Sequence, residues 1–316
     1  MYYLGIDGGG SQTRALVCDA SGRIFGRGLS GPSNLTAKSE LTVRENLLDA
    51  MQQAASKIES TRIRAAYLGV AGASDPIKKK KLLKIAQEFF SSQALNITVD
   101  HDMRIALEGG LKGAPGLVLI AGTGSASFGR GTSGQTAGCG GWGDLVDDAG
   151  SGSWIGLKAL QALFRQADGR LPKSPFMERI MHFLEIEEIL EFKTHIHDQG
   201  LVRHERARLA PIVFDLAKSG DKLATAIMVE AIEELCKLAK IVSQKLQLPE
   251  PTVCLCGGLM QNPYFRNALS IALYSNGLEN VISDPQLQAV SGAVMLALKS
   301  DNVTLNEQSI IELSKA

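Results

Sequence analysis

Apolar residues along the chain alternate between short continuous runs and helical spacing. Short apolar runs predict strands over residues 2–6, 13–18, 23–27, 65–70 and 97–99. Between the third and fourth runs, apolar residues recur every three or four positions over about 39–59, which predicts a helix. A second helix is predicted over about 78–90. This alternation of strands and helices favours the α/β class.

A second unit with a similar opening begins at Gly116. A predicted strand over 117–121 is followed by a glycine-rich turn and a return strand, the same order as at the start of the chain. Residues 154–247 are predicted to be mainly helical, with Pro211 in the first turn of a helix. A strand at 252–255 and a helix at about 287–298 follow. We predict one lobe from residues 1–115 plus about 290–316, and a second from 116–289 with a helical insertion.

The amino-acid composition limits which kinds of molecule the protein is expected to bind. The chain has 316 residues, 45% of them hydrophobic and 21% charged, so it can bury a core and its length favours two domains. Lys plus Arg and Asp plus Glu both number 33, which argues against binding to nucleic acid or to an anionic membrane. Glycine is frequent, at 33 residues, while aromatics make up 5%. This balance favours backbone brought close to a ligand over base-stacking surfaces.

The expected location is the cytoplasm. Asp7 interrupts the N-terminal segment before an apolar stretch of signal-peptide length, and the apolar run at 117–121 is far shorter than a membrane helix. The five cysteines are scattered along the chain, which is typical of reduced thiols. Cys254 and Cys256 have no nearby Cys or His partners in sequence, so structural thiols are favoured over a zinc site.

The first candidate for chemistry is the turn that follows Asp7. Three successive glycines, 8–10, allow backbone N–H groups to approach an anion, and Ser11 and Thr13 add hydroxyl groups. A carboxylate at the end of a strand, next to a phosphate-binding turn, can hold a hydrated magnesium ion. A simple hairpin turn is the alternative interpretation.

Two further glycine turns follow predicted strands. Gly122-Thr123-Gly124-Ser125 follows the strand at 117–121, and Gly257-Gly258 follows the strand at 252–255. Two such turns in separate halves predict one phosphate chain held from two sides, and bare backbone at 257–258 could lie against a nucleotide base. The competing phosphate motifs fail, because the chain has no P-loop and its two G-x-G-x-x-G matches, at 26–31 and 129–134, do not open helices.

Acidic residues cluster at two places. Asp100 and Asp102 flank His101 where a predicted strand ends and a helix begins, a position typical of a helix cap and also of working residues in α/β sheets. Asp147 and Asp148 lie in a glycine-rich loop together with Trp142. That composition is unusual for a simple connection. The four lysines at 78–81 are interpreted as the solvated start of a helix.

Taken together, these motifs resemble the N-acetylglucosamine kinase group within the BadF/BadG/BcrA/BcrD ATPase family. The resemblance is carried by residues 4–13, 32–34, 68–72, 102 with 106–107, 121–125, 140–143 with 148–151, 256–258 and 291–293. The Gly-Gly-Trp-Gly stretch with its following Asp-x-Gly-Ser favours the sugar-kinase branch. The resemblance implies an actin-like ATPase fold, with two ribonuclease-H-like lobes and a nucleotide cleft between them.

The resemblance also implies ATP and Mg²⁺ as cofactors and assigns roles to individual residues. Asp7 would organise magnesium, and Asp102 would be the base that takes the proton from the 6-hydroxyl of the sugar. The implied phosphate-binding residues are Gly9, Gly10, Ser11, Thr13, Gly122, Thr123 and Gly124. Gly257 and Gly258 would face the adenosine. The implied sugar-binding residues are Asn34, Ala71, Gly72, Asp102, Trp142, Gly143 and Asp148.

Several alternatives stay open. The family often has Asn-Asp-Ala where this chain has His101-Asp102-Met103; the spacing to Ala106 selects Asp102, with Asp100 as the alternative base. Asp147 replaces the usual glycine, so the sugar is undecided between N-acetylglucosamine, the first choice, and glucosamine, N-acetylmuramic acid or glucose. The rival functions are an ATP-driven activator of a radical dehydratase, which needs cysteines for an iron–sulfur cluster, and a non-catalytic sugar sensor. A homodimer is compatible with the sequence.

Overall fold

The chain folds into two compact units. The computed structural model describes residues 1–90, 96–278 and 282–316. The first unit contains Met1–Pro115 and Asp284–Ala316, and the second contains Gly116–Ser283. Each unit is built on a five-stranded mixed sheet with helices packed against it. The predicted α/β class is therefore confirmed.

The strands and helices of the described residues are as follows. The strands are β1 Tyr2–Gly8, β2 Thr13–Asp19, β3 Ile24–Ser30, β4 Ile63–Val70, β5 Asn96–Asp100, β6 Gly116–Ala121, β7 Ser125–Arg130, β8 Thr136–Gly140, β9 Val253–Cys256 and β10 Ile282–Ser283. The α-helices are α1 Glu40–Ala55, α2 Pro76–Phe89, α3 Asp102–Gly110, α4 Gly152–Ala167, α5 Pro175–Phe183, α6 Ile189–Gln199, α7 Arg203–Ala207, α8 Ala210–Lys218, α9 Lys222–Leu246, α10 Pro263–Ser275, α11 Ala289–Ser300 and α12 Glu307–Leu313. Short 3₁₀ helices cover Ser60–Arg62 and Gly258–Gln261.

The first sheet has the strand order β3-β2-β1-β4-β5. Strands β1, β2 and β3 form an antiparallel meander, while β4 and β5 run parallel to β1. Side chains of β1 alternate between two cores, because successive residues of a strand point to opposite faces. Leu4 and Ile6 pack with α1 and α2, whereas Tyr3 packs with α11. Gly5 permits close approach of α11, since a Cβ there would clash with Val294.

The second sheet repeats the topology of the first, with the order β10-β9-β6-β7-β8. Strands β6, β7 and β8 form the antiparallel meander, and β9 and β10 run parallel to β6. One hydrophobic core joins this sheet to the helical segment, with Phe176, Phe214 and Phe265 among its fully buried side chains. Pro211 lies in the first turn of α8, as predicted. Within the described residues, no helix has both the length and the apolar character needed to cross a bilayer.

Candidate active site

In the first unit, the predicted site residues meet at the carboxyl edge of the parallel strands. The register places Asp7 of β1 opposite Gly69 of β4, and Gly69 opposite Asp100 of β5. The N–H of Ala71 donates to the carbonyl of Gly8 at 2.8 Å, which ties the chain after β4 to the end of β1. Carboxyl ends of parallel strands are where open α/β sheets bind ligands. The topology therefore gathers residues that are distant in sequence.

Asp7 is a carboxylate held in a poorly solvated position. Its side chain is 20% exposed, and its nearest cation is Arg14, at 3.7 Å. Burial, with a further contribution from the Asp102 carboxylate, raises the pKa of Asp7 to about 6, and Arg14 opposes the rise. Two carboxylates near each other, with one guanidinium to compensate them, favour the arrival of a cation.

The donor set near Asp7 fits magnesium bound together with a nucleotide. Magnesium is usually held by one or two carboxylates, with the remaining positions taken by water and phosphate oxygens. Within residues 1–90, 96–278 and 282–316, no group of three or more His, Cys, Asp or Glu side chains could hold a metal by itself. A magnesium ion at Asp7 would thus depend on a phosphate-bearing ligand.

The glycine turn after β1 exposes some of its predicted ligands and buries others. The N–H of Gly9 donates to the carbonyl of Gln12 at 2.9 Å and closes the turn. Gly10 and Ser11 are exposed. Thr13 is fully buried, and its hydroxyl donates to the carbonyl of Gly31 at 2.7 Å. Gly10 and Ser11 are thus accessible to an anion, while the Thr13 side chain joins β2 to β3.

The predicted sugar-binding residues of this unit lie together. Gly72 has φ +84°, and a Cβ there would come within 2.8 Å of Thr36 Oγ1 and 3.0 Å of Asn34 Oδ1. The Thr36 N–H donates to Asn34 Oδ1 at 2.8 Å, which fixes the amide. Lys78 Nζ in turn donates to Thr36 Oγ1 at 2.9 Å. Thr36 stands in no motif of the sequence, and Lys78, which the lysine run predicted to be solvated, is held by this hydrogen bond.

The two candidate bases have different surroundings. Both carboxylate oxygens of Asp100 accept hydrogen bonds at 2.9 Å, one from the Tyr67 hydroxyl and one from the His101 N–H. Asp102 is the first residue of α3, and its Oδ1 accepts the Met103 N–H at 3.0 Å. Burial raises the pKa of Asp102, against lowering by His101 and the Met103 N–H. A raised pKa makes a carboxylate a better proton acceptor at neutral pH.

In the second unit, the two predicted nucleotide turns are neighbours. Strands β6 and β9 are parallel, with Ile120 opposite Cys256, so both turns leave the same edge of the sheet. Gly257 has φ +99°, and a Cβ there would clash with the carbonyl oxygen of Ala121. A Cβ on Gly122 would lie 3.6 Å from the Gly258 nitrogen. The predicted phosphate and adenosine residues of this unit therefore form one continuous glycine surface.

The start of α4 holds the turn at 122–125. The N–H of Gly152 donates to the carbonyl of Gly122 at 2.8 Å, and the N–H of Ser153 donates to the carbonyl of Thr123 at 3.3 Å. The Ser151 hydroxyl caps α4 by accepting the Trp154 N–H. The first N–H groups of a helix have no partner within the helix, and here two of them donate to carbonyl groups of the turn.

Asp148 lies beneath this turn and is paired with an arginine. It has φ +55° and is 3% exposed, and its carboxylate accepts from Arg203 Nη2 at 2.7 Å and from the Ser125 N–H. Next to this pair, Arg206 binds Asp144. Asp144, Arg203 and Arg206 were not predicted as site residues, because no sequence motif connects residues about 60 positions apart. The guanidinium groups of Arg203 and Arg206 thus lie next to the turn, each paired with a carboxylate.

The glycine-rich loop after β8 exposes apolar side chains. Trp142 is 81% exposed and Leu145 94% exposed. Gly143 has φ +99°, and nothing lies within 4 Å of a Cβ placed there. The Trp142 N–H donates to Asp147 Oδ2 at 3.3 Å. The carboxylate of Asp147 is thus engaged with the backbone of its own loop.

Residues 4–297 match the BadF/BadG/BcrA/BcrD ATPase family. The chain belongs to the BadF/BadG/BcrA/BcrD ATPase family. The match covers most of both units, so the resemblance inferred from the motifs is confirmed.

Named relatives of this ATPase-family chain are sugar kinases. It is 31% identical to the N-acetylmuramic acid/N-acetylglucosamine kinase of Clostridium acetobutylicum, over 83% of this chain and 86% of the relative. It is 27% identical to the N-acetyl-D-glucosamine kinase of Dictyostelium discoideum, over 94% of this chain and 98% of the relative. A crystal structure of a candidate N-acetylglucosamine kinase from Chromobacterium violaceum superposes with a TM-score of 0.73, at 28% identity, covering 94% of this chain and 98% of the other. The predicted sugar-kinase fold is thereby confirmed.

Proposed function

We propose that this chain is an ATP-dependent kinase that phosphorylates the 6-hydroxyl of an amino sugar, with N-acetylglucosamine as the first candidate. One observation carries the assignment of the chemistry. In a chain similar to sugar kinases, Asp102 begins a helix at the sheet edge that also carries the Asp7 glycine turn. A base and an anion-binding turn at one edge are what transfer of a phosphoryl group to an alcohol requires.

Asp102 is proposed as the base. Its Oδ1 is oriented by the Met103 N–H, and the carboxylate would accept the proton from the hydroxyl that attacks the γ-phosphorus. Burial raises the pKa of Asp102, so the carboxylate accepts this proton more readily than a solvated aspartate would. Asn34, Ala71 and Gly72 would bind the sugar and orient its hydroxyl.

The phosphates are proposed to bind at backbone-rich turns. In the first unit, Gly9, Gly10, Ser11 and Thr13 form the turn, with Gly10 and Ser11 at its accessible tip. In the second unit, Gly122, Thr123 and Gly124 form the corresponding turn, and Gly257 and Gly258 would face the adenosine. Asp7 would hold magnesium, which neutralises phosphate charge when bound. Trp142, Gly143 and Asp148 stay proposed sugar-binding residues.

A coupled ADP-release assay tests the proposal. The purified protein is given MgATP with N-acetylglucosamine, glucosamine, N-acetylmuramic acid or glucose in turn, and each reaction is repeated with EDTA. We expect ADP release that requires both an amino sugar and magnesium, and ³¹P–¹³C coupling at carbon 6 of the product. Sugar-independent ATP hydrolysis together with stoichiometric iron would instead indicate a dehydratase activator. Tight sugar binding without turnover would indicate a sensor.

A further inference from the structure

Lys78 places an ammonium group beside the proposed sugar residues of the first unit. Its Nζ donates to Thr36 Oγ1 at 2.9 Å, and that hydroxyl lies against Gly72 and next to the fixed Asn34 amide. The Lys78 side chain is 29% exposed, so the charge is held against the protein surface rather than extended into solvent. All four residues belong to the same unit.

This lysine is not explained by helix stability. It lies in the first turn of α2, where Asp75 is the N-cap, and the helix dipole disfavours a cation there. Asp75 uses its Oδ1 to accept the N–H groups of Ile77 and Lys78, and its Oδ2 is 4.0 Å from Lys78 Nζ. The carboxylate therefore neutralises the ammonium only weakly. Two of the three ammonium hydrogens can still be directed to a ligand.

The chemistry that would use this group is a carboxylate on the sugar. N-acetylmuramic acid is N-acetylglucosamine with a lactyl ether at oxygen 3, and it carries a negative charge at neutral pH. N-acetylglucosamine is uncharged and has no group that requires an ammonium partner. The relative from Clostridium acetobutylicum is named for both of these sugars.

We propose that Lys78 is a specificity-determining residue that binds the carboxylate of a lactyl-bearing amino sugar, so that this kinase accepts N-acetylmuramic acid as well as N-acetylglucosamine. This inference rests on the proposed kinase function and deepens it. Thr36 positions the ammonium, and Asn34 with Gly72 holds the sugar ring beside it. A hydrogen bond between two charged groups is among the stronger polar contacts in binding.

The test compares kcat/KM for the two sugars in four proteins: wild type, Lys78→Met, Lys78→Arg and Lys80→Met. Lys78→Met keeps the length of the side chain and removes its charge, while Lys80 is an exposed member of the same lysine run and serves as the control. We expect the ratio of kcat/KM for N-acetylmuramic acid to that for N-acetylglucosamine to fall about tenfold to a hundredfold in Lys78→Met. Lys78→Arg should keep most of the ratio, and Lys80→Met should leave it unchanged.

The outcomes distinguish the proposed role of Lys78 from the proposed kinase activity. A wild-type protein that phosphorylates N-acetylglucosamine but not N-acetylmuramic acid would overturn the role of Lys78 and leave the kinase proposal standing. An unchanged ratio in Lys78→Met would do the same. If no amino sugar supports ADP release, the kinase proposal itself fails. Thermal unfolding curves of Lys78→Met and wild type check that the variant is folded.

Discussion

The hydroxyl of Tyr67 donates to Asp100 Oδ2 at 2.9 Å, and this bond separates the roles of the two acids that flank His101. Burial and Asp100 raise the pKa of Tyr67, so the phenol keeps its proton and remains the donor. With the His101 N–H on its other oxygen, Asp100 is fixed within the sheet edge. The carboxylate of Asp102 is held by backbone N–H groups, that of Met103 and its own, and this favours it as the group that meets substrate.

This difference predicts the effects of two matched substitutions. Asp102→Asn should lower kcat about 10²- to 10⁴-fold, because the amide cannot accept the sugar proton. ATP affinity should be retained, as measured by isothermal titration calorimetry without sugar. Asp100→Asn should lower kcat less than tenfold, since an amide oxygen can still accept one of the two hydrogen bonds. A larger loss in Asp100→Asn than in Asp102→Asn would make Asp100 the base.

Because the Asp7 carboxylate is buried, replacing it should increase the stability of the folded protein while activity is lost. Its pKa is about 6 in the folded protein and near the ordinary value of ~4 in the unfolded chain, so folding favours the protonated form. The resulting stabilisation is present below pH ~4 and is lost as the pH rises through 6. At pH 7.5, Asp7→Asn should therefore raise the free energy of unfolding by on the order of 1–3 kcal/mol, with little difference at pH 4.

The same substitution should remove magnesium-dependent activity. Urea denaturation of the ligand-free protein at the two pH values gives the stability difference, and the coupled assay gives the activity. In the wild type, the KM for MgATP should rise below pH 6, because the protonated carboxyl can no longer hold a cation. A destabilised, fully active Asp7→Asn protein would contradict both parts of this prediction.

The Arg203–Asp148 pair should stabilise the second unit and orient its turn. Asp148 is almost completely buried, so Arg203→Met leaves a carboxylate with only the Ser125 N–H to compensate its charge. We expect a loss of about 2–3 kcal/mol, less than the ~3–5 kcal/mol of a fully buried pair, because the guanidinium is 41% exposed. Chemical denaturation measures this loss.

A double-mutant cycle isolates the coupling between the two residues. Arg203→Met with Asp148→Asn removes both charges, so the double variant should be more stable than Arg203→Met alone. Arg170→Met is a suitable control, because Arg170 pairs with Asp168 on the exposed surface, where an ion pair contributes little to stability. Additive effects of Arg203→Met and Asp148→Asn would show that the pair does not act as a unit.

Local signals in the sequence identified most of the fold. The apolar run at 65–70 and the spacing at 39–59 correspond to β4 and α1, each within a few residues. The structure adds β8 within the glycine-rich stretch, because its strand Thr136–Gly140 has little apolar pattern to reveal it. Helix α10 was also not predicted, although Asn262 as N-cap and Pro263 in the first turn are recognisable signals.

The candidate site was predictable only where it consists of motifs. The glycine turns and Asp102 belong to short sequence motifs, which can be recognised without knowledge of the fold. The Arg203–Asp148 pair joins a helix to a loop 55 positions earlier, and Lys78 reaches Thr36 across 42 positions. Such contacts depend on the packing of α2 and α7 against their units, which no local pattern encodes. The hydroxyl of Thr13 likewise looks available in sequence and is buried in the fold.

Two adjacent glycines offer a test of the nucleotide surface in the second unit. Gly257 has φ +99°, and a Cβ there would clash with the Ala121 carbonyl, so Gly257→Ala must distort the end of β9. We expect it to lower the free energy of unfolding by more than about 1 kcal/mol and to weaken ATP binding. Gly258 has nothing within 4 Å of the position of a Cβ, so Gly258→Ala should fold normally.

Because Gly258→Ala preserves the fold, its effect on nucleotide affinity isolates contact from stability. An added methyl group in a surface that lies against adenosine should raise the KM for ATP severalfold, while the KM for the sugar stays unchanged. Denaturation curves and steady-state kinetics on both variants separate the two effects. If Gly258→Ala binds ATP as tightly as the wild type, the adenosine lies elsewhere, and the weakened binding of Gly257→Ala would then reflect only the distorted strand end.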